Sequence, residues 1–528
     1  VATVAMSVVP WGAHEPRARP PFDAPSILPT VARVNEAFRA AWRAAGVTPA
    51  APADELAIAR RISLGLTGTI PSLEEIRQFE AWPQGERTLR WLRGTLSDRR
   101  YADFVAERLA RAYVGTDDGP FLLFRRRRFV SWLSDQIADN VPYDQIAQHL
   151  IADSGLWTDT PATNFVTVTI PPEGESGPDP NQLAARVGRA FLGVRIDCAV
   201  CHDHPFDSWK QSDFQSLAAY FGQTRRSLRG IADGQGEYQV ENRETGASET
   251  IACRVPYQPE LIPAQGTQRQ RLAAWVTHPA NRRFAREAVN RAWALLFGRP
   301  LVEPIDNLPN DVQEIPAIDI LADDFVQHGY DFRRLLEVIA STEVFQLDSR
   351  VTPDGSAGAS TAAESSAHEA AWAVFPLTRL RPEQVVGALL QSASLTTVDS
   401  SSHIVVRLAR TIGQNEFIKR YGDGGAEEFA DHGGTIPQRL LMMNGGIVFD
   451  KTKNDLVGNA ATRIAALAPD DATAVETAML TVLSRRPNER ERRHFITRLE
   501  GATGAERRAL LGDVVWTLLN TTEFSWNH

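Results

Sequence analysis

The sequence has few cysteines, no run of membrane-spanning length and none of the common catalytic signatures. Only three of its 528 residues are cysteine, so disulfide bonds cannot be what stabilises a chain of this length. It contains no Gly-x-Ser-x-Gly, His-Glu-x-x-His, Walker or dinucleotide-binding pattern. Hydrolase, zinc-peptidase, nucleotide-driven and nicotinamide functions therefore lack their expected residues. The net charge of -9 comes without a basic stripe, and no nucleic-acid partner is expected.

The first residues are a short apolar stretch. Val1–Trp11 is too short to cross a bilayer, and it is typical of the outer end of a longer export signal or anchor helix. We therefore predict that residues 1–19 are the end of such a segment, which is also a candidate membrane anchor. The expected location is the periplasm or the extracytoplasmic face of a bacterial membrane. The alternative is an apolar tail without a role.

Apolar residues recur with helical spacing through most of the chain. They do so at 31–42. Asp54 is predicted to cap a second helix, and Ser72 and Glu75 form a capping box that opens a third. Alternating residues at 165–170 and the segment 251–255 predict short strands. The sequence therefore predicts a mainly α-helical protein. It has two helical domains, at 20–225 and 269–528, separated by a linker with short strands at 226–268.

The chemically distinctive motif is Cys198-Ala-Val-Cys201-His202. Two thiols about one helical turn apart can each add to a vinyl group on the same edge of a haem, and the next residue then places its imidazole beneath the iron. The motif predicts one covalently attached haem c, with His202 as the proximal iron ligand.

Two other interpretations of the cysteines remain open. Cys198, Cys201, His204 and the distant Cys253 form a legitimate tetrahedral zinc set, although a second Cys-x-x-Cys pair is absent. The other alternative is a pair of small buried thiols with a capping histidine, without any bound group.

Several further residues are predicted to support the haem or its iron. His204 and Asp207 are predicted as residues around the site, with His204 orienting the proximal histidine. Met443 is the candidate distal iron ligand, with His278 and His432 as alternatives, although such residues are usually part of ordinary packing. The run Arg125–Arg128 could receive haem propionates or an acidic partner, but a solvated helix face is the commoner role for such a run.

Longer stretches around this motif resemble known families. The pattern CAxCHDHPFDxW at 198–209, with LAAYF at 217–221 and RISLGLTG at 61–68, resembles the planctomycete cytochrome-c-like domain DUF1549 (PSCyt2). The second half is similar to its usual companion, DUF1553 (PSD1), through FAR at 284–286, NRxW at 290–293, FGR at 297–299, PxD at 304–306 and MNG at 443–445. The resemblance implies a haem-like domain followed by a second domain, but no defined activity.

The function predicted from these residues is electron transfer by a single c-type haem on the envelope side, within a complex with other redox or envelope proteins. A haem oxidoreductase with an open iron site is the first alternative. The second is a scaffold or partner-binding protein with a structural zinc at the cysteine motif. The sequence does not decide whether the protein is an enzyme, and an electron carrier is favoured.

Overall fold

The computed structural model describes residues 24–116, 126–171, 177–241, 246–309, 315–351, 362–399, 435–445 and 459–528. The predicted export or anchor segment at 1–19, Arg125 and His432 lie outside these ranges. Within them, no helix combines the length and the apolar character needed to cross a membrane.

Before the 226–268 segment, the regular elements in the described part of the chain are helices, except for the start of the first strand. Its helices are α1 (Ala24–Ala45), α2 (Glu55–Thr67), α3 (Leu73–Ala81), α4 (Arg87–Ser97), α5 (Arg99–Val114), α6 (Arg126–Ala138), α7 (Tyr143–Ala152), α8 (Asn164–Thr167), α9 (Pro180–Val187) and α10 (Gln211–Ala218). Short turns of 3-10 or π-helix lie at Pro161–Thr163, Gly188–Leu192, Ile196–Ala199 and Ala219–Phe221.

The later part of the chain is helical as well. Its helices are α11 (Gln268–Val276), α12 (Arg282–Phe297), α13 (Pro316–Gln327), α14 (Phe332–Ala340), α15 (Glu343–Gln346), α16 (Ala362–Ala370), α17 (Pro382–Ser392), α18 (Ile436–Asn444), α19 (Ala460–Leu467), α20 (Asp471–Leu483), α21 (Glu489–Leu499) and α22 (Gly504–Leu519). Two 3-10 turns lie at Pro259–Leu261 and Glu523–Ser525.

The strands are short and pair in antiparallel twos. Strands β1 (Thr224–Ser227) and β2 (Gly230–Asp233) form one hairpin, and β3 (Gln239–Glu241) pairs with β4 (Ser248–Thr250). Strand β5 (Thr378–Arg379) pairs with β6 (Trp526–Asn527). Four of the six strands in the described ranges lie between residues 224 and 250, so the predicted mainly α fold with short strands near the middle of the chain is confirmed.

Two clusters of buried side chains form the interior. The first contains residues from Ile27 to Phe375, together with Leu480, and thus includes residues on both sides of the 226–268 segment. Helix α12 lies at its centre, because it packs against α2, α13 and α14. The second cluster joins Leu64 and Ile70 of the first half to residues between Leu380 and Phe524. The two halves of the chain therefore share their hydrophobic packing.

Several helix boundaries follow from local capping. Asp54 accepts a hydrogen bond from Leu56 N at 2.8 Å at the start of α2, and Ser72 and Glu75 complete the predicted capping box of α3. Such side chains satisfy backbone donors that have no partner inside the helix. Both predictions are confirmed. They could be made from the sequence because the interactions join residues at most three apart.

The predicted strand at 165–170 is wrong. Residues 161–167 form a 3-10 turn followed by α8, and the Asn164 side chain donates to the Pro161 carbonyl at 2.8 Å. Phe165 is fully buried and packs against Phe191, with ring centroids 5.9 Å apart. Tertiary packing surrounds this segment, so alternating residue types did not indicate one buried face. The predicted strand at 251–255 is also displaced, because β4 ends at Thr250.

Candidate functional site

The segment that leads to the cysteine motif is a helix that changes its pitch. Asp179 caps α9 by accepting a hydrogen bond from Asn181 N at 2.8 Å. The helix then continues as a π-helical turn, Gly188–Leu192, and ends at Gly193 with φ of 56°. A Cβ at Gly193 would lie 3.0 Å from Leu308 Cγ, so glycine is required both by the backbone conformation and by this close contact. Turns of π-helix occur frequently at functional sites.

Both cysteines of the motif are exposed. Cys198 lies in the 3-10 turn Ile196–Ala199, where its backbone N–H donates to the Arg195 carbonyl at 3.3 Å. Cys201 follows in a bend, and both of its neighbours in the motif pattern, Cys198 and His202, are exposed with it. The alternative of two buried structural thiols is therefore wrong.

His202 has one ring nitrogen engaged by the backbone. Its Nδ1 lies 2.7 Å from the Asp203 carbonyl oxygen, and a carbonyl oxygen can only accept, so Nδ1 carries the proton. In the neutral imidazole Nε2 is then the atom with a free lone pair. A backbone carbonyl that fixes the tautomer in this way is typical of histidines that bind a metal through Nε2.

His204 and Asp207 stabilise the loop that follows the motif. His204 Nδ1 accepts a hydrogen bond from Phe206 N at 3.1 Å, and the backbone N–H of His204 donates to the Trp209 carbonyl at 2.8 Å. Asp207 Oδ1 accepts from Ser208 N at 2.7 Å. Within the described part of the chain no hydrogen bond joins His204 to His202, so the hydrogen bonds of His204 order the loop.

The same loop carries an exposed aromatic ring beside a buried one. Phe206 is 94% exposed, whereas Trp209 is only 8% exposed. At the far end of the loop, Asp203 Oδ1 accepts a hydrogen bond from Gln211 N at 3.0 Å, at the first turn of α10. The Trp209 Nε1–H is buried without a hydrogen-bond partner among the described residues. The buried indole N–H groups of Trp157 and Trp293 are in the same state, so this feature is not particular to the loop.

Helix α12, far along the sequence, supports Trp209. The Arg283 guanidinium carbon lies 5.5 Å from the centroid of the Trp209 ring. Burial lowers the pKa of Arg283, while Tyr257 and Asp207 act in the opposite direction. Arg283 also donates to the Leu192 and Leu308 carbonyls at 3.5 and 3.4 Å. One side chain of α12 thus contacts both the approach to the motif and the loop after it.

Ion pairs form a second set of contacts to the approach, residues 188–197, which lead to Cys198. Asp306 accepts from Arg195 Nε at 2.8 Å and from Arg189 Nη1 at 3.1 Å, and Arg189 also forms two hydrogen bonds with Asp197, at 2.6 and 3.2 Å. Burial alone would lower the pKa of Arg189, but Asp197, Asp306 and Cys198 raise it. The Asn307 side chain accepts from Arg195 N at 3.2 Å. Three acidic or amide groups therefore fix the residues directly before Cys198.

The proposed zinc set is not assembled. Across the described ranges, no three histidine, cysteine, aspartate or glutamate side chains are grouped so that they could hold a metal ion. Cys253 is half-buried and packs against the first cluster, near Tyr220 and Arg271. Burial raises the pKa of its thiol, which disfavours the thiolate that binds zinc.

The candidate distal ligands lie in other settings. Met443 is half-exposed at the end of α18, where its carbonyl accepts a hydrogen bond from Trp516 Nε1 at 3.3 Å. His278 Nδ1 accepts from Ala280 N at 3.1 Å. Of the arginine run, Arg126 pairs with both carboxylate oxygens of Glu107, at 2.8 and 3.0 Å. None of these described contacts involves the cysteine motif.

Sequence reasoning did not assign a role to several residues that hold the site. Asp306 and Trp209 stand in the family patterns without an assigned role at the site. No pattern connects Arg189, Arg195 or Arg283 with the cysteine motif. The Asp306–Arg195 contact spans 111 residues, and no periodicity or spacing rule predicts a pairing over that distance. The Pro-x-Asp pattern was the signal for Asp306, and the pattern CAxCHDHPFDxW was the signal for Trp209.

Comparison with known families gives two matches along the chain. Residues 33–226 match the family described as protein of unknown function DUF1549 (PSCyt2), and residues 268–416 match protein of unknown function DUF1553 (PSD1). No curated protein and no solved structure matches the chain significantly. The cysteine motif lies in the first matched region, and Arg283, Asp306 and Asn307 lie in the second. The chain thus belongs to the proteins in which a DUF1549 (PSCyt2) region is followed by a DUF1553 (PSD1) region.

Proposed function

We propose that the chain is a c-type haem protein that transfers electrons, with one haem attached through Cys198 and Cys201 and ligated by His202. The observation that carries the proposal is the state of these three residues. Both thiols are exposed on one short segment, and the Asp203 carbonyl holds Nδ1 of His202, which leaves Nε2 for a metal. A tetrahedral zinc site would need a further grouping of ligands, which the described residues do not form.

The surrounding residues fit a haem. A haem held here would supply a one-electron couple whose potential depends on its axial ligands and burial. The chain's own part is to hold the attachment residues, through the hydrogen bonds of His204 and the hydrogen bond from Gln211 N of α10 to Asp203. Phe206 adds an exposed apolar side chain in the loop that follows the motif.

The location and partners follow from the same proposal. Covalent haem attachment takes place outside the bacterial cytoplasm, so we place the protein in the periplasm or on the extracytoplasmic face of a membrane, with other redox or envelope proteins as partners. The exposed loop around Phe206 is the surface at which such a partner would come nearest to the attachment site. An electron carrier needs close approach of this kind, and it needs no substrate cavity.

The test is a pyridine haemochrome spectrum of the full chain, exported in its native host and extracted with acid acetone, which removes haem that is not covalently bound. We expect retained haem with a c-type band, and a sharp, reduced low-spin spectrum before extraction. The double variant C198S/C201S is expected to lose all retained haem.

The matched control is Cys253→Ser, which removes the third cysteine and leaves the motif intact. We expect this variant to retain as much haem as the parent. If the parent retains no haem while another c-type cytochrome of the same host is fully loaded, the proposal fails. A high-spin spectrum that shifts with carbon monoxide would overturn electron transfer in favour of an enzyme with an open iron site.

A further inference from the structure

The residues before Cys198 are held by a turn from the second family region. Asp306, Asn307 and Leu308 follow α12 and lie against the segment 189–197, which belongs to the first region. Leu308 N donates to the Gly193 carbonyl at 2.8 Å, while Asn307 accepts from the Arg195 amide. Consecutive residues of one region therefore pair with the backbone of the other, as neighbouring parts of one folding unit do.

Asp306 is the centre of this contact. Its Oδ1 accepts from Arg195 and its Oδ2 from Arg189, and Arg189 continues the chain of ion pairs to Asp197. Asp306 is 17% exposed in its side chain, whereas the two arginines are 35% and 40% exposed. Each single pair at such exposure is weak. Because one carboxylate binds two guanidinium groups, the pairs restrain Arg189 and Arg195, and thus both ends of the segment before the motif, at the same time.

The restraint leads directly to the first thiol. Arg195 immediately precedes the 3-10 turn Ile196–Ala199, and its carbonyl accepts the hydrogen bond of Cys198 N. Asp197, at the other end of the ion-pair chain, is the residue next to Cys198. The position of Cys198 is therefore defined by two neighbours whose side chains are bound, directly or through Arg189, to Asp306.

We propose that Asp306 is a positioning residue for the cysteine motif, so that the second family region completes the site carried by the first. The role concerns the backbone that bears Cys198 and does not depend on which group the thiols bind. It requires that the loss of the Asp306 charge loosen residues 189–200 more than the rest of the protein.

The test is hydrogen exchange, measured by mass spectrometry on the full chain without haem, for the parent and for Asp306→Asn. We expect peptides that cover 189–200 to exchange about fivefold faster in the variant, because local opening becomes easier while the global fold persists. Asp306→Glu keeps the charge and is expected to restore most of the protection. If Asp306→Asn fails to fold, Asn307→Ala is expected to raise exchange at the same peptides, since it removes the acceptor of the Arg195 amide.

The matched control is Asp319→Asn. Like Asp306, Asp319 binds two arginines, but its partners, Arg282 and Arg286, lie in the second region. Loss of its charge therefore disturbs a similar ion-pair cluster away from the motif. We expect no change at 189–200 in this control. Equal exchange in Asp306→Asn and the parent, or the same increase in Asp319→Asn, would overturn the inference.

Attachment of haem gives a separate measure. If the exported parent carries haem, we expect Asp306→Asn to carry several-fold less per chain, and Asp306→Glu to recover it. If the parent carries none, the proposed function fails, while the exchange experiment still decides the role of Asp306.

Discussion

The two sides of the cysteine motif are built differently. The approach, residues 188–197, is bound to Asp306, Asn307 and Leu308, which lie far along the chain. It also contains Phe191, whose ring packs in the buried interior. The loop after the motif, residues 202–209, is ordered mainly by hydrogen bonds among its own residues and exposes Phe206. One side is thus fixed by tertiary contacts, and the other is open to solvent.

This difference suggests how such a site works. The fixed approach holds the backbone that bears the first thiol, and the proposed haem and partner would meet the open loop. Arg283 joins the two sides, since it contacts the Leu192 carbonyl before the motif and the Trp209 ring after it. The far end of the loop is therefore held to α12.

The largest effect is expected from truncating one aromatic ring on each side. Phe191 is fully buried, and its ring lies 5.2 Å from that of Tyr113 and 6.4 Å from that of Phe284. We expect Phe191→Ala to lower the free energy of unfolding by about 3–5 kcal/mol, because it leaves a cavity. The exposed Phe206→Ala should change it by less than about 0.5 kcal/mol. Urea unfolding of both variants measures the contrast, and similar losses would contradict it.

A smaller effect is expected from acid, through the support of the approach side. Tyr113, which packs on Phe191, belongs to α5, and Arg108 of the same helix pairs with the largely buried Glu383 of α17. Burial alone would raise the pKa of Glu383, but Arg108, Arg111 and Arg381 lower it to about 2.

A carboxyl group with a lowered pKa stabilises the fold above its ordinary pKa, and this contribution is lost as the pH falls towards 2. The lowering from 4.5 to about 2 corresponds to about 3 kcal/mol. We expect Glu383→Gln to be less stable than the parent at pH 6 and to lose most of that difference by pH 2.5. Denaturation at a series of pH values tests this, with the exposed Glu500→Gln as the control. A difference that does not change with pH would contradict the expectation.

The smallest effect is expected on the loop side. Asp203 accepts a hydrogen bond from Gln211 N at the start of α10, and loss of a hydrogen bond of this kind costs about 1 kcal/mol. We expect Asp203→Ala to increase hydrogen exchange at the first turn of α10 and to leave residues 188–197 unchanged. Faster exchange in the approach segment would show that the two sides are coupled more tightly than their contacts indicate.

The sequence was most informative where the interactions are local. The caps of α2 and α3 join residues two or three apart, so residue type and spacing were sufficient to predict them. The strand predicted at 165–170 was wrong because that segment is buried by Phe191 and its neighbours, and alternation then has no single buried face to report.

By itself the sequence determined the mainly helical fold, the family and the three residues of the motif, because each depends on periodicity, capping or close spacing. The tertiary structure decided which residues hold that motif. Asp306 and Arg283 lie more than 80 residues beyond Cys198, and only the packing of α12 against the first region brings them to it. Contacts over such distances depend on the complete set of packing interactions, which no local pattern encodes.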